Sequence, residues 1–292
     1  MKRSLIVAIN SYEYEADLRG CLNDAELLSN LLITQYGFHD VGTLVENNAT
    51  RERILHALTN LLAVDDDEID PVRHFHFSGH GSRVMDRDND EIIDQADEVL
   101  CLSDYRYSNP QSYIKDDDLR EAFNIPSLNS GACRLYVTLD SCHSGTGTRS
   151  VGESWVKIEE EFEYDREVSL AASLADFKLG DEALARYAMG REASDDPSLQ
   201  EQASNGTLNV ARVEPDNHLL FSGCSSAQKC KDAPINGGFY GAFTFAFVEI
   251  LRSNPNISWR ALHQQTLDNV KNYSQNPQLE GSEITKDRPV FS

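Results

Sequence analysis

Arg134-Leu135-Tyr136-Val137-Thr138-Leu139, followed by Asp140-Ser141-Cys142-His143-Ser144-Gly145, is the stretch that decides how this chain is read. Six mainly apolar residues are too few for a helix and read as a buried strand. The polar turn behind them puts Cys142 just past the strand's carboxyl end. His74-Phe75-His76-Phe77-Ser78 repeats the arrangement and delivers Gly79-His80-Gly81. In a parallel α/β sheet, residues just beyond the carboxyl ends of neighbouring strands converge on one crevice. The pattern therefore predicts that Cys142 and His80 meet in space although 61 positions separate them.

The surrounding sequence alternates in the same way. Residues 4–10 read as a strand, and 22–36 as a helix with Leu27, Leu28, Leu31 and Leu32 at helical spacing and Gly37 closing it. Residues 41–45 read as a second strand. Thr50 is a candidate N-cap for a helix whose apolar stripe is Ile54, Leu55, Leu58, Leu61 and Leu62. An acidic loop, 86–97, precedes a short apolar run at 99–102. The carboxylates Asp116, Asp117 and Asp118 suit the N-terminus of a helix reaching Phe123. Strand alternating with helix predicts an α/β fold with a central, mostly parallel sheet flanked by helices on both faces.

From 150 to 215 the pattern gives way to a Glu-, Asp- and Ser-rich insertion, with one helix expected around 169–189 and a loop-like tract at 193–209. Order returns with a strand at 218–222, a helix at 239–252, and a helix capped by Ser258 running through Val270. Pro289-Val290-Phe291 reads as a final edge strand. One domain is expected: a larger part, 1–149, with both motifs; an acidic linker, 150–215; and a smaller closing part, 216–292.

The chain's 48 acidic and 26 basic residues give a net charge of −22, which repels nucleic acid and anionic membrane and favours basic ligands. No apolar run approaches the ~20 residues that span a bilayer, and the first apolar segment is too short for a secretory signal. The six cysteines show no paired framework and no CxxC spacing, so reduced thiols and a cytoplasmic location are expected.

A thiol becomes a strong nucleophile as thiolate, and a neighbouring imidazole can take its proton. His80 is thus the candidate general base to Cys142, and later the acid toward a leaving amine. The backbone N–H groups of Gly81 and Cys142 are candidate oxyanion donors, since glycine lets the chain approach a substrate closely. His74 and His76 share a strand face, yet no third ligand accompanies them, so they read as strand histidines rather than a metal site. Cys224 and Cys230 read as structural.

Ser78-Gly79-His80-Gly81 and Asp140-Ser141-Cys142-His143-Ser144-Gly145 resemble the His and Cys motifs of metacaspases and of their prokaryotic relatives, the orthocaspases. Residues 20–25, 97–100, 116–119, 222–225 and 276–281 resemble the same family; only about 150–215 lies outside the likeness. The resemblance implies a caspase-like fold and a thiol endopeptidase cutting after Arg or Lys. Its basic pocket would be lined by Cys21, Asp24, Ser78 and Asp140. Carboxylates in a crevice can hold a guanidinium through charge-assisted hydrogen bonds, and arginine is favoured because its fork matches them.

Calcium is a second implied trait. No cofactor is needed for the thiol chemistry, and the carboxylates matching the family's calcium site are Asp97, Asp116 and Asp117. Arg149 stands where a further family carboxylate would be, which counts against calcium dependence. The loop at Asp86, Asp88 and Asp90 is not an EF-hand, because Glu91 occupies the position that needs glycine. Self-cleavage is expected between 149 and 212, with Arg191 and Arg212 flanking the most polar tract as candidate sites. Expected partners are protein or peptide substrates with Arg or Lys at the cut bond; family members are generally monomers. The rival readings are a dormant effector activated by an upstream protease and a catalytically silent scaffold.

Overall fold

The computed structural model describes residues 1–65, 67–85, 96–141, 218–225, 228 and 230–292. Its centre is a six-stranded sheet. The strands are β1 (Lys2–Ala8), β2 (Asp40–Val45), β3 (Val72–Ser78), β7 (Arg134–Asp140), β8 (His218–Ser222) and β11 (Gln278–Glu280), in spatial order β11-β8-β7-β3-β1-β2. All neighbours are parallel except β11, which runs antiparallel to β8. A three-stranded antiparallel sheet holds β4 (Gly81–Met85), β5 (Ala96–Cys101) and β6 (Tyr113–Lys115), and β9 (Asp232–Ile235) pairs with β10 (Gly238–Gly241). The described residues on both sides of 142–217 belong to one compact unit.

Side-chain alternation along each strand explains the two-sided sheet. Leu5 and Val7 of β1, Phe75 and Phe77 of β3, and Leu135, Val137 and Leu139 of β7 enter one core with Ile54, Leu58, Leu61 and Leu62 of α2 (Arg51–Leu62). Ile6 and Ala8 of β1, Tyr136 of β7, and Leu219 and Phe221 of β8 enter the opposite core. There they meet α1 (Cys21–Tyr36), α5 (Ala242–Ser253) and α6 (Trp259–Val270). Each fully buried Leu or Phe contributes about 1.5–3 kcal/mol, so the alternation fixes register: a one-residue slip would reverse both faces. Short helices α3 (Asp116–Phe123), α4 (Pro126–Asn129) and α7 (Glu283–Lys286) are the remaining α-helices among the described residues.

The expected caps hold. The Thr50 side chain accepts the Arg53 N–H, Ser258 accepts that of Ala261, and Gly37 closes α1 at φ 67°. Two expectations fail. The helix expected from Phe239 begins at Ala242, because Phe239 and Tyr240 belong to a hairpin whose turn residues Asn236 and Gly237 sit at φ 50° and 84°. Pro289-Val290-Phe291 forms no edge strand; Pro289 makes one isolated bridge to Ser258, and the Phe291 ring fills the core between His74, Tyr136 and Trp259. Aromatic burial takes precedence there over sheet extension. The helix expected near 169–189 and the tract 193–209 lie outside the described residues.

Candidate active site

β3 and β7 are direct parallel neighbours, with Ser78 opposite Asp140, so both motifs leave the sheet at one edge. The Gly79 N–H donates to the Asp140 carbonyl at 3.2 Å, joining the two strand exits. Cys142 itself lies outside the described residues, as do Arg149, Arg191 and Arg212; the described chain reaches Ser141.

His80 is held from three directions. Its N–H donates to the Tyr12 hydroxyl at 2.8 Å, the two rings lie 4.5 Å apart, and Nε2 is 2.7 Å from the carbonyl oxygen of Ala16. A carbonyl only accepts, so Nε2 carries the proton and a neutral ring presents Nδ1 as the base. Gly79 makes this possible: a Cβ there would lie 2.6 Å from the Tyr12 hydroxyl. The His80 carbonyl accepts the Cys101 N–H at 2.9 Å and so points toward β5. Gly81 and Leu100 are then a non-bonded pair, and the Gly81 N–H points away from β5, as an oxyanion donor must.

The four expected pocket residues come together. Cys21 and Asp24 lie on the first turn of α1, Ser78 ends β3 and Asp140 ends β7; all four are buried, Asp24 completely. Ser78 Oγ donates to Asp24 Oδ2 at 2.8 Å, and the Gly241 N–H donates to Asp24 Oδ1 at 3.0 Å. Asp140 Oδ2 accepts from the N–H and the hydroxyl of Thr244, at 2.9 and 2.7 Å. Burial raises the pKa of Asp24 well above the usual carboxylate value, and repulsion from Asp140 adds to it. Burial likewise raises Asp140, against the hydrogen bonds from Thr244. Cys21 is pushed far up by burial and by Asp24, so its thiol stays protonated and is no rival nucleophile. Two neighbouring carboxylates with raised pKa values gain most from a cation.

Several contributors were not visible in the sequence. Gly241 faces both carboxylates so closely that a Cβ would press on Asp140 Oδ2 and lie 2.8 Å from Asp24 Oδ2. Asp232 Oδ2 accepts the Arg19 N–H at 2.6 Å and ties β9 to the start of α1. Tyr12, Ala16 and Thr244 complete the set. Only Asn236-Gly237, a hairpin-turn pair, offered a sequence signal pointing toward Gly241.

Asp97, Asp116 and Asp117 also gather, each presenting a carboxylate oxygen within 4.8 Å of the others. Lys115 ion-pairs with Asp97 and Arg120 with Asp117. Asp97 Oδ1 is buried without a hydrogen-bond partner, so the hard oxygen donor set fits a calcium ion. His74 and His76 are buried within β3: His74 Nδ1 meets Ser4 Oγ at 2.9 Å, and Thr138 Oγ1 meets both rings.

A family model for the metacaspase peptidase C14 domain matches residues 2–149. Metacaspase-1 of Pyricularia oryzae is 31% identical over 293 residues, covering 95% of this chain and 71% of its own. Metacaspase-1 of Schizosaccharomyces pombe is 30% identical over 300 residues, covering 95% and 66%. The chain thus spans about two thirds of the length of such relatives. Among solved structures, a Geobacter sulfurreducens protein superposes with TM-score 0.60 at 22% identity, covering 100% of this chain and 98% of its own. Caspase-1 of Spodoptera frugiperda does so with TM-score 0.54 at 12% identity, covering 96% and 88%. Those two likenesses show the α/β caspase-like fold.

Proposed function

The chain belongs to the metacaspase family of cysteine endopeptidases, and on that premise we propose that it cuts after arginine, and after lysine as the weaker alternative. The observation that carries the specificity is the buried pair Asp24 and Asp140, whose raised pKa values a guanidinium would relieve. An acidic residue in the same place would add a third negative charge and be rejected.

In this reading Cys142 attacks the carbonyl carbon while His80 Nδ1 takes its proton. The Ala16 carbonyl holds Nε2–H throughout and stabilises the imidazolium. The Gly81 and Cys142 N–H groups receive the oxyanion. His80 then protonates the leaving amine, and water, deprotonated by the same ring, releases the acyl group.

Self-cleavage within 149–212, at Arg191 or Arg212, follows from the same specificity acting on the acidic linker. For calcium, Asp97, Asp116 and Asp117 would supply ligands and the bound ion would displace the Lys115 ammonium. Among the described residues no helix is long and apolar enough to cross a membrane. A cytoplasmic monomer acting on proteins, without nucleic acid, fits the acidic surface.

The test is turnover of fluorogenic peptides ending in Arg, Lys or Asp by wild type and by Cys142→Ala, with and without calcium, while the chain's mass is followed. Arg-selective turnover and processing, both lost in Cys142→Ala, are expected. Turnover only after trans-cleavage would favour the dormant effector, and none at all the scaffold.

A further inference from the structure

Cys224 and Cys230 are neither nucleophile nor base in the chemistry above, although the Cys230 thiol bonds Asp140, and the fold brings the two together. Their sulfurs are 3.0 Å apart. Both also reach the carbonyl oxygen of Ser141, Cys224 Sγ at 3.4 Å and Cys230 Sγ at 3.1 Å. That carbonyl belongs to the peptide bond whose nitrogen is Cys142's. The approach is built in. Gly223 passes so near that a Cβ there would lie 3.0 Å from Cys230 Sγ and 2.9 Å from Phe243 Cβ. The Gln228 N–H bonds the Ser225 carbonyl at 2.9 Å. Gln228 is anchored to the Ser274 carbonyl and the Asn276 N–H, both at 3.0 Å. Cys224 is fully buried, whereas Cys230 is partly exposed.

We propose that Cys224 and Cys230 form a reversible dithiol–disulfide site, closed by peroxide, that controls the hydrogen bonding of the Ser141 carbonyl beside the nucleophile. A disulfide needs its sulfurs at ~2.04 Å, so closure requires a movement of about 1 Å. Cys230, the accessible thiol, reacts first: its sulfur takes one peroxide oxygen as the O–O bond breaks, and water leaves. Cys224 then attacks the resulting sulfenic acid, the S–S bond forms, and the hydroxyl departs with the remaining thiol proton as a second water. Two thiols and one hydrogen peroxide give one disulfide and two waters. Closure ends S–H donation to the Ser141 carbonyl, and a reductant restores it. The predicted slowing of turnover rests on Cys142 being the nucleophile, as read above; the disulfide itself does not.

The chemistry is tested on Cys142→Ala protein, which neither cleaves itself nor offers the reactive thiol. Mild peroxide should remove about 2 Da from the intact mass, with one crosslinked peptide joining Cys224 to Cys230 that dithiothreitol separates. Added oxygen without a crosslink, or a crosslink to any other cysteine, would overturn the proposal. Cys230→Ser in the same background should show no loss of mass; circular dichroism checks its folding, and Cys224→Ser serves instead if it is unfolded. The consequence is read on active protein treated with peroxide and then arsenite, which reduces sulfenic acids and spares disulfides. Wild type should remain slowed on the order of five-fold, matching one lost hydrogen bond, until dithiothreitol is added, while Cys230→Ser recovers with arsenite alone. Full recovery of wild type with arsenite refutes the regulatory role. Protein without activity toward Arg peptides in either state refutes the peptidase reading, and the mass measurement still decides the disulfide.

Discussion

Gly241→Ala adds one methyl group where the structure has no room for it. The Gly241 backbone, at φ −61° and ψ 125°, is open to alanine, so the effect is steric rather than conformational. The new Cβ would press on Asp140 Oδ2 and lie 2.8 Å from Asp24 Oδ2. Either Asp140 gives up its geometry with Thr244, at 2.9 and 2.7 Å, or the start of α5 moves and stretches the Gly241 N–H bond to Asp24. Overpacking of this kind costs about 1–3 kcal/mol, and a weakened hydrogen bond to a charged group adds about 1.5 kcal/mol. We expect a loss of about 2.5–4.5 kcal/mol in urea unfolding of the Cys142→Ala background, the sum of those two contributions. In active protein, kcat/KM for an Arg peptide should fall about ten- to hundred-fold, equal to about 1.4–2.8 kcal/mol. Gly42→Ala is the control. Its Cβ would meet nothing nearer than 3.8 Å, so its stability should be unchanged or rise by up to about 1 kcal/mol. If Gly241→Ala matched that control in both assays, the close contact of position 241 with Asp140 and Asp24 would be refuted.

Other outcomes follow from the same contacts. Burial lowers the His76 pKa to about 3 and that of His74 well below its usual value, so both are neutral when folded and accept protons when unfolded. Stability present above pH ~6.5 should therefore fall as pH drops from there toward 3, by about 2.7 kcal/mol per unit for two protons; urea titrations showing a flat profile between pH 6.5 and 5 would refute this. Asp24 and Asp140 ionise above the ordinary carboxylate range, so affinity for an Arg peptide should rise with pH through that raised midpoint, while a citrulline peptide should show no such rise. Tyr12→Phe leaves the His80 N–H without its 2.8 Å acceptor and should lower kcat about ten-fold, with KM for the Arg peptide nearly constant. Lys115→Met removes the ammonium competing at Asp97, so calcium should raise the melting temperature more than in wild type; equal shifts would exclude competition.

The elements legible in the sequence were those specified locally. Short, mainly apolar runs at β1, β3 and β7 announced buried strands, and the polar turns after β3 and β7 announced where chemistry would gather. Asp24 and Asp140 were found through motif resemblance, and contact with Ser78 and Thr244 explains why they sit where they do. Ala16 was invisible because it acts through its carbonyl, which every residue possesses. Gly241 and Thr244 were hidden by distance: they meet their carboxylate partners across 217 and 104 positions of chain. The misplaced start of α5 has a local cause, since Phe239 and Tyr240 suit helix and strand alike and only the Asn236-Gly237 turn separates the two. Phe291 ends up in the core as a wedge of aromatic surface, an outcome that two-residue periodicity cannot express.

β8 lies inside the sheet, bonded to β7 on one side and to β11 on the other, and its rungs depend on no covalent link across 142–217. Scission anywhere in that interval would alter the molecule's connectivity without loosening its grip on itself. Two polypeptides would migrate separately on a denaturing gel and elute together from a sizing column. A population of such molecules would carry the record of its past activity in the number of chain ends, while its outline stayed the same.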